Sequence, residues 1–196
     1  MKGPERRKPV VYTIGHSTRP IGDFLALLQA HGVRQVADVR TIPRSRHNPQ
    51  FNQDELRKSL ADAGIGYRHL KAVGGLRHAA RDSVNLGWRN ISFRGFADYM
   101  QTEEFAQGLG QLEDLARRRV TAIMCAEGNP WRCHRSLIAD ALTKRGWQVM
   151  EISSRKTARL HRLTPFLRVR AGRLTYPELP ASRPNAGPNR AGSRIV

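Results

Sequence analysis

Short apolar runs alternate along the chain with stretches whose apolar residues recur every three or four positions, and that alternation predicts strands and helices in turn. Val10 to Ile14 reads as a strand, followed by Ile21, Phe24, Leu25 and Leu28 at helical spacing as far as Gly32. Val36 to Val39 reads as a second strand. After it, Arg40 to Phe51 is polar, contains proline and has no period, the signature of a functional loop. Asn52 and Glu55 make a helix-start box, Leu56 and Leu60 the apolar stripe, and Gly64 suits the left-handed turn that ends a helix.

Ile65 to Leu70 alternates as a third strand does, and Lys71 to Ser92 reads as a second long loop around Gly74-Gly75. Phe93 to Met100 gives one or two helical turns. Thr102 then caps a longer helix carrying Phe105, Leu109, Leu112 and Ala116 on one side, with Arg117 to Arg119 at its negative end. Val120 to Met124 is the most strand-like buried run. Asn129-Pro130 opens a helix with Leu137, Ile138, Ala141 and Leu142, stopped by Gly146, and Trp147 to Ile152 supplies a fifth strand. Strands separated by helices need crossover connections, so the expected fold is α/β: a mostly parallel sheet flanked by helices on both faces.

The organisation that follows is a basic N-terminal segment over 1–9, an α/β core over 10–154, a basic extension over 155–177, and a disordered tail over 178–196. The extension reads as a small hairpin, Phe166 to Arg170 and Arg173 to Pro177 flanking Ala171-Gly172, although alanine fits poorly where φ must be positive. The tail is rich in Pro, Gly, Ala and Asn. No apolar run approaches the roughly 20 residues of a membrane helix, and no signal peptide is visible. Two cysteines, Cys125 and Cys133, make no disulfide framework, which points to a reducing, cytoplasmic setting.

Charge changes the picture. The 196 residues hold 34 Lys plus Arg against 16 Asp plus Glu, a net +18, and residues 155–196 alone hold ten basic residues against one acid, Glu178. Such an excess suits a polyanionic partner, either nucleic acid or a phosphorylated small molecule; a compositional bias with solvated basic faces explains it equally. Composition leaves the oligomeric state open.

Ligands of parallel sheets sit beyond the carboxyl ends of the strands, so the residues following each strand carry the chemistry. These are His16 and Ser17 after the first strand, Asp38, Arg40, Arg44 and Arg46 after the second, and Cys125, Glu127, Cys133, His134 and Arg135 after the fourth. Cys125 is the candidate nucleophile, its thiol lowered by a helix start and by Arg132 or Arg135; the competing reading is a small buried side chain. His16 is a candidate acid or base, or else a turn residue. Glu127 is a second candidate for acid-base work, or a partner holding Arg135.

Ser17, Asp38, Arg40, Arg46, Cys133, His134 and Arg135 form the candidate ligand-binding set, the arginines as forks for an anion. Asp38 could equally form an internal ion pair, and Cys133 and His134 could simply pack. Cys125, Cys133 and His134 could also offer three soft ligands to zinc, with His16 or His47 as a fourth, but the spacing lacks a paired-cysteine knuckle, and the expectation is neither metal nor cofactor. Phe51, Tyr67, Trp88, Phe93 and Trp131 could stack on a base, or fill a core.

Several of these words together, Thr13-Ile14-Gly15-His16-Ser17, Asp38-Val39-Arg40 with Ser45-Arg46 and Phe51, and Cys125-Ala126-Glu127 with Cys133-His134-Arg135, resemble the family catalogued as domain of unknown function 488. Gly74-Gly75, Phe96 to Met100, Leu137-Ile138-Ala139 and Thr164-Pro165-Phe166 extend the resemblance over about residues 11–177. The resemblance implies a compact α/β domain and no particular reaction. The functional expectation therefore comes from the residues: a domain binding an anionic, phosphate-containing ligand in association with nucleic acid, or alternatively a small-molecule hydrolase or transferase using Cys125 with His16.

Overall fold

A computed structural model describes residues 8–178. The basic start, apart from its last two residues, and the expected disordered tail from 179 onward lie outside the described residues. Five strands run parallel, β1 (Val10–Gly15), β2 (Gln35–Asp38), β3 (Gly66–His69), β4 (Thr121–Cys125) and β5 (Gln148–Ile152), and a sixth, β6 (Ala158–Leu160), pairs antiparallel with β5. Their order across the sheet is β3-β2-β4-β1-β5-β6.

The helices are α1 (Ile21–Ala30), α2 (Gln53–Asp62), α3 (Ile91–Tyr99), α4 (Glu103–Arg118) and α5 (Arg135–Lys144). Alternation along the strands splits the core in two. Ile14, Val36, Ala122 and Met124 bury one face against Phe24, Leu27 and Leu28 of α1 and Leu56 and Leu60 of α2. Val11, Ala37, Ile123 and Cys125 bury the other against Phe96, Leu109, Leu112 and Leu137 of α3, α4 and α5. The expected α/β fold with helices on both faces is the observed one. Among the described residues no helix is long and apolar enough to cross a membrane.

Local chemistry departs from expectation at three places. The Asn52 side chain does not cap α2; its Oδ1 accepts from the backbone N–H of Ser45 at 2.8 Å and closes the loop instead. Asn90 Oδ1 accepts from Ser92, which starts α3 at Ile91, two residues before the apolar run begins. Asn129-Pro130 opens only a single 3-10 turn, Pro130–Arg132; Cys133 is extended, with φ −132°, and α5 starts at Arg135. Cys133 and His134 therefore precede the helix and do not project from its apolar face. Thr102 caps α4 as expected, its Oγ1 accepting from Phe105 N–H at 3.2 Å.

The basic extension folds as a two-stranded hairpin, β7 (Arg168–Arg170) with β8 (Arg173–Thr175). Its two-residue turn requires positive φ at both positions, and Ala171 accepts φ 47° beside Gly172 at 76°. Tyr176, which follows, is fully buried, and its hydroxyl donates to Asp140 of α5 at 3.0 Å.

Candidate functional site

β1 and β4 are parallel neighbours, with Gly15 opposite Cys125. The chain leaves β1 for α1 on one face of the sheet and leaves β4, through the 3-10 turn, for α5 on the other, so the ends of β1 and β4 mark the point where the connections part, the place where open parallel sheets bind ligands. Backbone pairing continues past the strands: His16 N–H donates to Cys125 O at 2.9 Å and Ser17 N–H to Ala126 O at 2.8 Å, with Ser17 at φ 51°. Gly15 permits this approach, since a Cβ there would lie 2.6 Å from the carbonyl carbon of Glu127.

On the β2 side the polar groups satisfy one another. Arg40 Nε donates to Asp38 Oδ1 at 2.9 Å and Nη2 to Oδ2 at 2.6 Å, a two-pronged pair inside the protein. Burial works against the Arg40 charge more than any one contact favours it, but the Asp38 hydrogen bond and the charges around it together raise the guanidinium pKa. Tyr67 Oη donates to the same carboxylate at 2.8 Å, and burial followed by the Asp38 charge pushes its hydroxyl up. His16 stacks on Phe51 at 4.1 Å and donates from Nδ1 to Ser17 O at 2.8 Å, leaving Nε2 toward Arg40 Nη1 at 3.5 Å. Burial, helped by the Arg40 charge, lowers His16 to about 4, so the ring is neutral.

On the β4 side the groups converge without closing. His134 Nε2 donates to Val39 O at 3.0 Å, which leaves the Nδ1 lone pair facing Cys133 Sγ at 3.8 Å and Cys125 Sγ at 4.0 Å. Both cysteines are free thiols. The hydrogen bond from Cys125, against burial, pushes the Cys133 thiol down, while that same bond and burial push Cys125 well up. Arg135 is 1% exposed; its Nη1 donates to Thr13 Oγ1 at 2.6 Å and its Nη2 to Glu127 O at 2.7 Å. Among the described residues no carboxylate pairs with it, and its Nε has no partner.

A cavity of about 850 Å³ lies beside this group, lined by Trp131, Ser136, Glu151, Arg159, His161 and Arg162 among others. Trp131, 52% exposed, lies over the His161 ring at 6.2 Å with the planes 30° apart. His161 Nε2 donates to the buried Asp140 Oδ1 at 2.7 Å. Burial raises the Glu151 carboxyl, against the opposing charges of Arg135, His161 and Arg159.

Residues 20–142 match the model of the family described as domain of unknown function DUF488. The chain belongs to the DUF488 family. No curated protein and no solved structure matches it. The match leaves out two parts of this DUF488 domain that complete the site: β1 with His16 and Ser17, and the segment carrying Glu151, Arg159 and His161.

Of the residues expected at the site, His16, Asp38 and Arg40 meet in one network, and Cys125, Cys133 and His134 in another. Glu127 joins through its backbone carbonyl, while its exposed carboxylate accepts from Asn129 N–H at 3.1 Å and holds the loop. Arg44 and Arg46 stand exposed on the loop after β2. Phe51 and Phe93 are buried and Trp88 packs on Phe93, so of the five aromatics only Trp131 offers much of its surface to solvent. Sequence reasoning missed Glu151, Arg159 and His161, because they come from β5, the three-residue edge strand β6 and the residue after it. The pattern His161, Thr164, Tyr176 around Asp140 leaves no local signal either, since its members come from separate segments.

Proposed function

We propose that this DUF488 domain binds single-stranded nucleic acid, with a base on Trp131 and the adjoining phosphates on Arg159 and Arg162. The observation that carries the reading is the half-exposed Trp131 indole over His161 at a cavity flanked by exposed arginines. Stacking of a base on an aromatic face beside a cationic track is how sequence-tolerant single-strand binding works, and the net charge of +18 supplies the long-range attraction. Arg46 and Arg44 are exposed and able to hold further phosphates, whereas Arg40 is committed to Asp38. Two free thiols suit a reducing, cytoplasmic setting.

The enzymatic reading, Cys125 attacking with His16 as acid or base, draws less support. The Cys125 thiol is pushed up, away from the thiolate form, and the neutral His16 ring directs its open nitrogen at Arg40. Fluorescence anisotropy of a labelled oligonucleotide tests the proposal on the full chain. Trp131→Ala is expected to weaken binding by about 1–3 kcal/mol. Replacing Arg159 and Arg162 together by Ala should flatten the slope of log K against log salt by about 0.7 for each phosphate the protein no longer neutralises. Binding unaffected by both changes would overturn the reading, and a mononucleotide bound as tightly as the oligonucleotide would replace it with a phosphorylated small molecule.

A further inference from the structure

Cys125, at the end of β4, and Cys133 and His134, just before α5, bring two sulfurs and one imidazole nitrogen within 4.8 Å of one another. Distance alone does not make a ligand set, but the histidine is prepared for one. Its Nε2 proton is taken up by Val39 O, so Nδ1 is the bare nitrogen, and it points at both sulfurs. A backbone carbonyl holding the far nitrogen is the outer support that fixes the tautomer and ring plane of metal-bound histidines. The ring has little room to turn: Phe96 meets it edge-on at 5.0 Å, and a Cβ on Gly75 would lie 2.5 Å from its Cγ.

We propose that Cys125, Cys133 and His134 bind one soft divalent cation of the zinc class, through two thiolates and Nδ1, with the fourth position open. Tetrahedral bond lengths of about 2.3 Å to sulfur and about 2.0 Å to nitrogen put S···N at about 3.6 Å. The observed separations of 3.8 and 4.0 Å close to that with shifts of a few tenths of an ångström. Two sulfurs and an imidazole favour zinc over the hard cations magnesium and calcium. Two thiolates cancel the charge of the cation, which leaves the buried Arg135 without an acidic partner; the fourth position therefore favours an anion or an ionised water. Binding displaces whatever protons the two thiols carry into solvent.

Cobalt serves as the probe, because tetrahedral cobalt with thiolate ligands absorbs in the visible and near ultraviolet. The reduced, chelator-stripped full chain is expected to develop sulfur-to-cobalt charge-transfer bands that saturate at one equivalent and disappear when zinc is added. Cys133→Ser and His134→Ala should each weaken uptake by more than about 100-fold, beyond the roughly 10- to 100-fold ascribed to groups that only support a ligand. Lys58→Ala, at an exposed position of α2, should leave uptake unchanged. A second measurement needs no variant: zinc should slow iodoacetamide labelling of both Cys125 and Cys133 in the wild-type chain at least tenfold. Absence of a saturable charge-transfer band, or labelling rates indifferent to zinc, would overturn the proposal. Oligonucleotide binding is read separately, so either idea can fail alone.

Discussion

On either side of the point where the connections part, an arginine and a histidine are put to opposite uses. Beside β2, an arginine, a histidine, a tyrosine and an aspartate form a closed set: Asp38 accepts from Arg40 and Tyr67, and Arg40 reaches His16. Beside β4, an arginine, a histidine and two cysteines converge with no carboxylate among them, and one guanidinium nitrogen is left unbonded. A buried arginine is thus no guide to function by itself. What separates the two is the anion: Arg40 has one built in, whereas Arg135 is held by a hydroxyl and a carbonyl.

Removing one member from each side should break this contrast most clearly. Asp38→Ala strands the Arg40 charge inside the protein and is expected to cost about 3–5 kcal/mol, measured from denaturant midpoints. It should destabilise without altering cobalt uptake by the chain that stays folded. Arg135→Met is expected to cost less, about 1–3 kcal/mol, because it orphans the Glu127 carbonyl and the Thr13 hydroxyl but no buried carboxylate. If Arg135→Met proved as damaging as Asp38→Ala, the distinction drawn between the two sides would be wrong.

The smallest effect lies in the cavity, at Glu151. Its folded-state pKa is raised by burial, so the folded protein holds that proton more tightly than the unfolded chain does. The stability this contributes is complete below the ordinary carboxylate range and is lost as pH rises through the folded value. Glu151→Gln removes the dependence: the melting temperature should rise slightly at about pH 7 and match wild type near pH 4. A rise of equal size at both pH values would point to packing.

How far the sequence carried the reading follows from the range of each interaction. Periodicity is local, so five parallel strands, the Thr102 cap and the gathering of the loops at one edge were all legible. β6 was not, being an edge strand of only three residues, and the true start of α5 was not, because Pro130 opens a 3-10 turn as readily as a helix. Spacing gave no sign that an extended Cys133 turns back toward the end of β4 and brings its sulfur near Cys125 and His134. An internal ion pair for Asp38 was among the readings open in the sequence, and Arg40 two residues on is its partner, but nothing in linear order marks Val39 as the group that fixes His134.

The position of β1 has a practical consequence for anyone cutting the gene. Because it lies between β4 and β5, a fragment trimmed to residues 20–142 would lose β1 from inside its sheet and both strands beyond it, β5 and β6. The same cut would strip His161, Thr164 and Tyr176 from Asp140, baring a carboxylate that the intact molecule surrounds with three donors. The stretch by which the family is recognised is therefore shorter than the sheet to which it belongs.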